Sequence, residues 1–228
     1  DLTTEQSALL TALEQDADFT DYFFLTGGTL LTALNISPRF SNDLDFFTFP
    51  TVDLRQINAR LLHLNDQLNQ LFGKGSITLT DRGFIHTPSG MILDTVADTS
   101  SNIDAFIQFG RLRAASLKDI AAHKASALCS REETKDLVDI AFLTKQMRWT
   151  LSDLAEFAQE KFRLAQDYFN REFPKSDWTT ISAYDVSQAE RLNRQAQKYG
   201  SVPDYLNEIA TLLQEALKAK EPVPVKIS

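Results

Sequence analysis

Residues 23–47 read FFLTGGTLLTALNISPRFSNDLDFF. An apolar, aromatic run ends at Gly27 and Gly28, helical spacing resumes through Leu30 and Leu34, and Asp43 and Asp45 then interrupt a second apolar run. Buried carboxylates are costly unless a cation neutralises them, so this spelling asks for a chemical reason. The run YFFLT, bounded by glycines, predicts a buried strand. GTLLTALNI predicts a helix that Pro38 ends, and DLDFFTF predicts a second strand closed by Pro50. The glycine pair therefore falls at a strand-to-helix corner.

Side chains alternate faces along a strand, so Asp43 and Asp45 point the same way, their Cα atoms roughly 6.5 to 7 Å apart, while Leu44 and Phe46 enter the core. Two carboxylates on one face suit a hard divalent cation, and magnesium takes one or two such ligands together with water and substrate phosphates. Gly27 and Gly28 let the backbone approach a ligand closely, and amides at the start of the next helix point toward it, which makes a phosphate cradle. The hydroxyl of Thr29 either caps that helix or donates to a phosphate oxygen. Arg39 and Ser41 could reach the same phosphates, the arginine with a two-pronged fork. A third carboxylate, Asp94, lies in the strand-like run GMILDTVA. If that strand lies beside DLDFF, three acids converge. Three acids around two Mg2+ ions fit in-line phosphoryl or nucleotidyl transfer from a nucleoside triphosphate, one acid also serving as base.

Around this stretch the 228-residue chain is 43% hydrophobic and 24% charged, ordinary values for a folded protein. A net charge of −8 offers nucleic acid no global positive field, so a polynucleotide would need a local basic patch. No apolar run is long enough to span a bilayer, and DLTTEQSALL lacks the pattern of a signal peptide, which reads as cytoplasmic. The single cysteine, Cys129, beside Ala125 and Leu128, reads as a packed helix residue and leaves no internal disulfide. His63, His86 and His123 show no metal-ligand spacing.

Leu9, Leu10 and Leu13 predict a helix ending near Asp18, and Leu54, Ile57, Leu61, Leu64, Leu68 and Leu71 a long helix over 53–72. SITLT, GFIHT and GMILDTVA read as an antiparallel meander. From Ser116 on the pattern is helical, over about 117–130, 133–146, 151–169, 185–199 and 203–219, with Ser152 and Asp185 as N-caps and Gly200 as a C-cap. The expected architecture is α+β: a small mixed β-sheet core over 1–112 and a helical bundle over 113–228 packed on it.

The run GGTLLTAL…RFSNDLDFF closely resembles the first motif of the nucleotidyltransferase superfamily, and its Arg39-to-Phe47 portion resembles the AbiEii/AbiGii toxins of type IV toxin–antitoxin systems. ASLKDIAAHKASALCSREETKDLVDIAFL, residues 115–143, is similar to that family's second signature, here Lys124, Arg131, Lys135, Asp136 and Asp139. The resemblance implies that the lysine, Lys124, and one aspartate are essential, and we take Asp139 over Asp136 as that aspartate. It also implies that the chain binds a nucleoside triphosphate, that the acceptor is RNA such as a transfer RNA end, or a protein, and that a cognate antitoxin restrains it. From spacing alone, Lys124 shares a stripe with Ile120, Ala121 and Leu128 and needs a buried partner, a triphosphate or Asp139. Lys135, Asp136 and Asp139 share a narrow strip that is otherwise the solvated edge of a helix. Two other functions stand beside this one: a nucleotidyltransferase acting on a small molecule, and a nucleotide-binding protein without turnover.

Overall fold

The fold is drawn from a computed structural model, which describes residues 2–163 apart from 38, 40, 81–84, 88 and 131–133. It begins with helix α1 (Thr4–Leu13), started by a capping box in which Thr3 and Gln6 bond each other's backbone. Leu9, Leu10 and Leu13 of α1 are buried. The single helix expected up to Asp18 is in fact two. The Asp16 carboxylate accepts from the Phe19 amide at 2.8 Å and starts a new helix, α2 (Ala17–Tyr22).

Strand β1 (Phe23–Thr26) follows, then α3 (Gly27–Ala33) and β2 (Leu44–Thr48). Helix α3 stops before Pro38 because Asn35 takes the left-handed conformation at φ 57°, which asparagine tolerates and a helix cannot continue through. A 3-10 turn at Leu54–Gln56 leads into α4 (Ile57–Phe72). Leu61, Leu64 and Leu68 are buried there, while Leu71 is 62% exposed. A leucine repeat spaced at 3.5 residues drifts about 20° per heptad around a straight helix, which turns the end of the stripe outward.

Strands β3 (Thr78–Leu79), β4 (Ile85–His86) and β5 (Ile92–Val96) form the expected antiparallel meander. Two further strands, β6 (Ile107–Phe109) and β7 (Leu112–Ala114), went unread in the sequence. Phe109 pairs with Leu112, so Gly110 and Arg111 make a two-residue hairpin loop, with Gly110 at φ 60°. The seven strands form one mixed sheet in the order β3-β4-β5-β2-β1-β7-β6. β1 runs antiparallel to β2 and parallel to β7, and β2 runs parallel to β5.

One sheet face carries Phe23, Leu25, Leu44, Phe46 and Leu93, each at most 1% exposed. Phe19 of α2 stacks on Phe23 at 4.9 Å and meets Phe46 edge-on at 4.8 Å. Burying such side chains contributes about 1.5–3 kcal/mol each, which holds the central strands in register.

Helices α5 (Leu117–Ser130), α6 (Thr134–Met147) and α7 (Leu151–Phe162) follow. The N-cap of α7 is Thr150 rather than Ser152: Thr150 and Asp153 form a reciprocal capping box. α7 closes at Phe162, short of 169, with Arg163 left-handed at φ 51°. Arg131, the helices expected at 185–199 and 203–219, and the caps Asp185 and Gly200 lie outside the described residues, as do the side chains of Cys129 and His86.

The chain divides into two compact units. The first holds residues 1–35 and 41–120; the second holds residues 36–40 and the chain from Ala121 on. The division thus falls inside α5, eight residues beyond the boundary drawn at 112/113 from sequence, since β7 completes the sheet of the first unit. Among the described residues no helix is long and apolar enough to cross a membrane.

Candidate functional site

On the other face of the sheet, register decides the chemistry. Phe24 lies opposite Phe47, and Phe47 opposite Val96; one step along the strands, Thr26 lies opposite Asp45, and Asp45 opposite Asp94. Residues directly opposite one another share a face, so an aromatic row gives way to a polar row ending in two carboxylates on neighbouring parallel strands. The aromatic row continues into Phe49 and Phe106, whose rings stand 5.3 and 4.8 Å from that of Phe24. Asp43, two residues before Asp45, is half-buried in the irregular segment that enters β2.

These charges feel each other. Burial, then the charges of Asp45 and Asp43, push the Asp94 carboxyl up to about 6 against a weaker opposing hydrogen bond from the Thr95 backbone. The arrangement therefore concentrates negative charge beside the glycine corner.

Gly27 belongs to the same place. Its φ is +75°, and a Cβ built on it would overlap the Asp45 carboxylate. A glycine is required twice over, by backbone conformation and by the closeness of an acid. Gly28 is buried beside it. The Thr29 hydroxyl, 1% exposed, neither caps α3 nor faces outward: it donates to the backbone carbonyl of Asp43. Ser41, 8% exposed, offers its carbonyl to the Gln6 side-chain amide at 2.8 Å. Gln6 was not singled out from sequence, where it shows only as the fourth letter of a T-x-x-Q helix start.

The second unit holds a different cluster. Arg39, 4% exposed, sets its fork on Asp139, with Nε to Oδ1 and Nη2 to Oδ2 both at 2.7 Å. Lys124 Nζ reaches Asp136 at 2.6 Å and Asp139 at 2.9 Å, and both carboxylates are fully buried. Burial alone would raise the Asp139 pKa, but the Arg39 and Lys124 charges and hydrogen bonds reverse this and hold it well below the usual carboxylate range. For Lys124, burial works toward a lower value, and Asp139 and Asp136 outweigh it to hold the ammonium above its usual value. Two cations and two anions thus face one another in the buried interior, a geometry that fork-shaped bonds make tolerable.

Of the residues marked out by sequence, the structure brings Gly27, Gly28, Thr29, Ser41, Asp43, Asp45 and Asp94 together in the first unit, and Arg39, Lys124 and Asp139 together in the second. Arg39, expected at the phosphates, sets its fork on the Asp139 carboxylate. Asp136 is as much a part of the network as Asp139. His63 is exposed, and His123 packs edge-on against Phe162 at 5.0 Å, so neither is placed as a ligand.

Among the described residues no three His, Cys, Asp or Glu side chains are grouped so as to enclose a metal ion. Magnesium asks for less: one or two carboxylates with hard oxygen donors, and the in-register Asp45 and Asp94, electrostatically coupled to Asp43, fit that demand.

Residues 8–219 match the sequence profile described as nucleotidyl transferase AbiEii toxin, type IV toxin–antitoxin system. An uncharacterized protein of Aquifex aeolicus, aq_aa25, is 29% identical over 143 residues, which span 62% of this chain and 66% of that protein. The crystal structure of JHP933 from Helicobacter pylori superposes with a TM-score of 0.53 at 18% identity, covering 96% of this chain and 94% of the other. A further H. pylori structure, provisionally described as a nucleotidyltransferase, gives a TM-score of 0.54 at 17% identity over 96% and 97% of the two chains. The last two likenesses concern the fold. By the match over nearly its whole length, the chain belongs to the AbiEii family of nucleotidyltransferase toxins from type IV toxin–antitoxin systems.

Proposed function

We propose that this protein is a magnesium-dependent nucleotidyltransferase that moves a nucleotidyl group from a nucleoside triphosphate to a hydroxyl on RNA, a transfer RNA end foremost, or on a protein. One observation carries the reading: Asp45 and Asp94 stand opposite each other on adjacent parallel strands, with a glycine corner pressed against Asp45. Asp43 and Asp45 would hold Mg2+, with Asp94 completing the set; two bound ions would neutralise the triphosphate and the charge that develops as its bond breaks. The acceptor oxygen forms its bond to the α-phosphorus while the bond from that phosphorus to the β-phosphate bridging oxygen breaks, releasing pyrophosphate. Asp94 takes the acceptor's proton. Gly27 and Gly28 keep the corner free of side chains, so that phosphate oxygens can approach backbone amides. Thr29 and Ser41 serve by holding the segment that carries Asp43. Lys124 and Asp139 remain necessary, as the family resemblance implies, with Asp139 holding Lys124 and Arg39 in their charged forms.

The toxin assignment rests on family membership, and with it goes a cognate antitoxin as partner. Incubating the protein with cell extract and α-labelled triphosphates tests the transfer. Label in a species of transfer RNA or protein size supports the reading; label on a small molecule shifts the acceptor class; label nowhere leaves a nucleotide-binding protein. In a growth assay, wild type should arrest cells and Asp45→Ala should not, and equal growth of the two would count against it.

A further inference from the structure

We infer that Gln6 is a positioning residue for the metal-binding carboxylates, an inference that rests on the magnesium reading of Asp43 and Asp45. Residues 41–43 are neither helix nor strand, yet they deliver Asp43 and open β2. A backbone segment without a ladder must find its hydrogen-bond partners elsewhere, and where it finds them decides where its side chains point. Here the partners are two buried side chains. Gln6 Nε2 donates to the Ser41 carbonyl at 2.8 Å across 35 residues of sequence, and the Thr29 hydroxyl donates to the Asp43 carbonyl. The two bonds bracket exposed Asn42 and hold the backbone on both sides of it.

Gln6 is 2% exposed and divides its amide between two tasks. Its Oε1 accepts from the Thr3 amide at 2.9 Å, closing the capping box of α1, and its Nε2 serves Ser41. Capping alone needs only the oxygen, which glutamate supplies equally well. The segment before Asp43 needs a donor, which among these two only the amide has. The choice of glutamine over glutamate at this helix start is thus explained by the carboxylate segment and not by the helix. Partners that orient metal ligands from behind typically contribute 10–100-fold in metal affinity.

That division of labour gives a clean test. Gln6→Glu keeps the cap and removes the donor; Thr3→Val removes the hydroxyl that accepts from the Gln6 backbone amide at 3.0 Å and leaves the Ser41 bond in place. Mn2+ affinity, measured by titration calorimetry, should weaken about tenfold in Gln6→Glu and stay near wild type in Thr3→Val. Amide hydrogen exchange at residues 42–44 should accelerate in Gln6→Glu alone. Gln6→Met, of similar size, serves if the glutamate variant does not fold. Unchanged exchange at 42–44 in the Gln6 variants, or equal Mn2+ affinity in all three proteins, would overturn the inference. Failure of the magnesium reading shows separately, as Mn2+ binding in Asp45→Asn equal to that of wild type; the exchange measurement then still decides whether Gln6 holds the segment.

Discussion

At residue 27 the chain has no room for anything but hydrogen. Alanine there would sit at positive φ, at a cost of about 1–2 kcal/mol, and its methyl would displace the Asp45 carboxylate. Gly27→Ala is therefore expected to lower stability modestly and to abolish nucleotidyl transfer; urea unfolding and the labelling assay check this together, and retained transfer would detach Gly27 from the site. Asp94 shows the opposite balance. Its charge is disfavoured by burial and by Asp45 and Asp43, so Asp94→Asn should melt higher than wild type in EDTA, lose transfer, and gain less from added Mg2+. Thermal unfolding with EDTA and with Mg2+ measures both effects. A variant that melts lower in EDTA would mean that these carboxylates do not oppose one another.

Among elements, α5 and α6 are tied to the loop after α3 by buried charge. Arg39, Lys124, Asp136 and Asp139, all buried, share four short contacts between them. Removing one partner of a buried pair leaves an uncompensated charge and typically costs 3–5 kcal/mol. Arg39→Met and Asp139→Leu should each be strongly destabilising. The double variant should recover part of that loss, since it buries no orphan. Chemical unfolding of the three variants forms the cycle, and strictly additive losses would deny the coupling. The loop that holds Arg39 leads directly into Ser41 and Asp43, so the same bonds set where that loop sits within the second unit.

For the whole molecule, this network sets an acid limit on stability. The folded-state pKa of Asp139 is depressed, so its contribution is fully present above the unfolded value near 4 and is lost as pH falls from there toward the folded value. Lys124 is raised, so its contribution is present below about 10.4 and fades as pH climbs through the folded value. Wild type should lose stability below about pH 4 more steeply than Asp139→Asn, whose side chain does not titrate. Urea midpoints across the acid range measure the two slopes, and parallel curves would show that Asp139 is not the group responsible.

Much of the site could be read from the chain because its signals are local. Apolar runs of strand length, a glycine pair, and aspartates at a spacing of two name β1, the corner and β2 without knowledge of any partner, since side-chain alternation is a property of a single strand. The meander through Asp94 was legible for the same reason. The short hairpin at 107–114 was not, because three-residue strands carry too little periodicity to rise above loop composition. What lay beyond sequence was pairing at a distance. That Asp45 meets Asp94 in register, that Gln6 serves Ser41 instead of only its own helix, and that Arg39 binds Asp139 one hundred residues away are all outcomes of packing. Each depends on which donors and acceptors burial leaves facing one another, and the chain can supply the groups for such bonds without naming their partners.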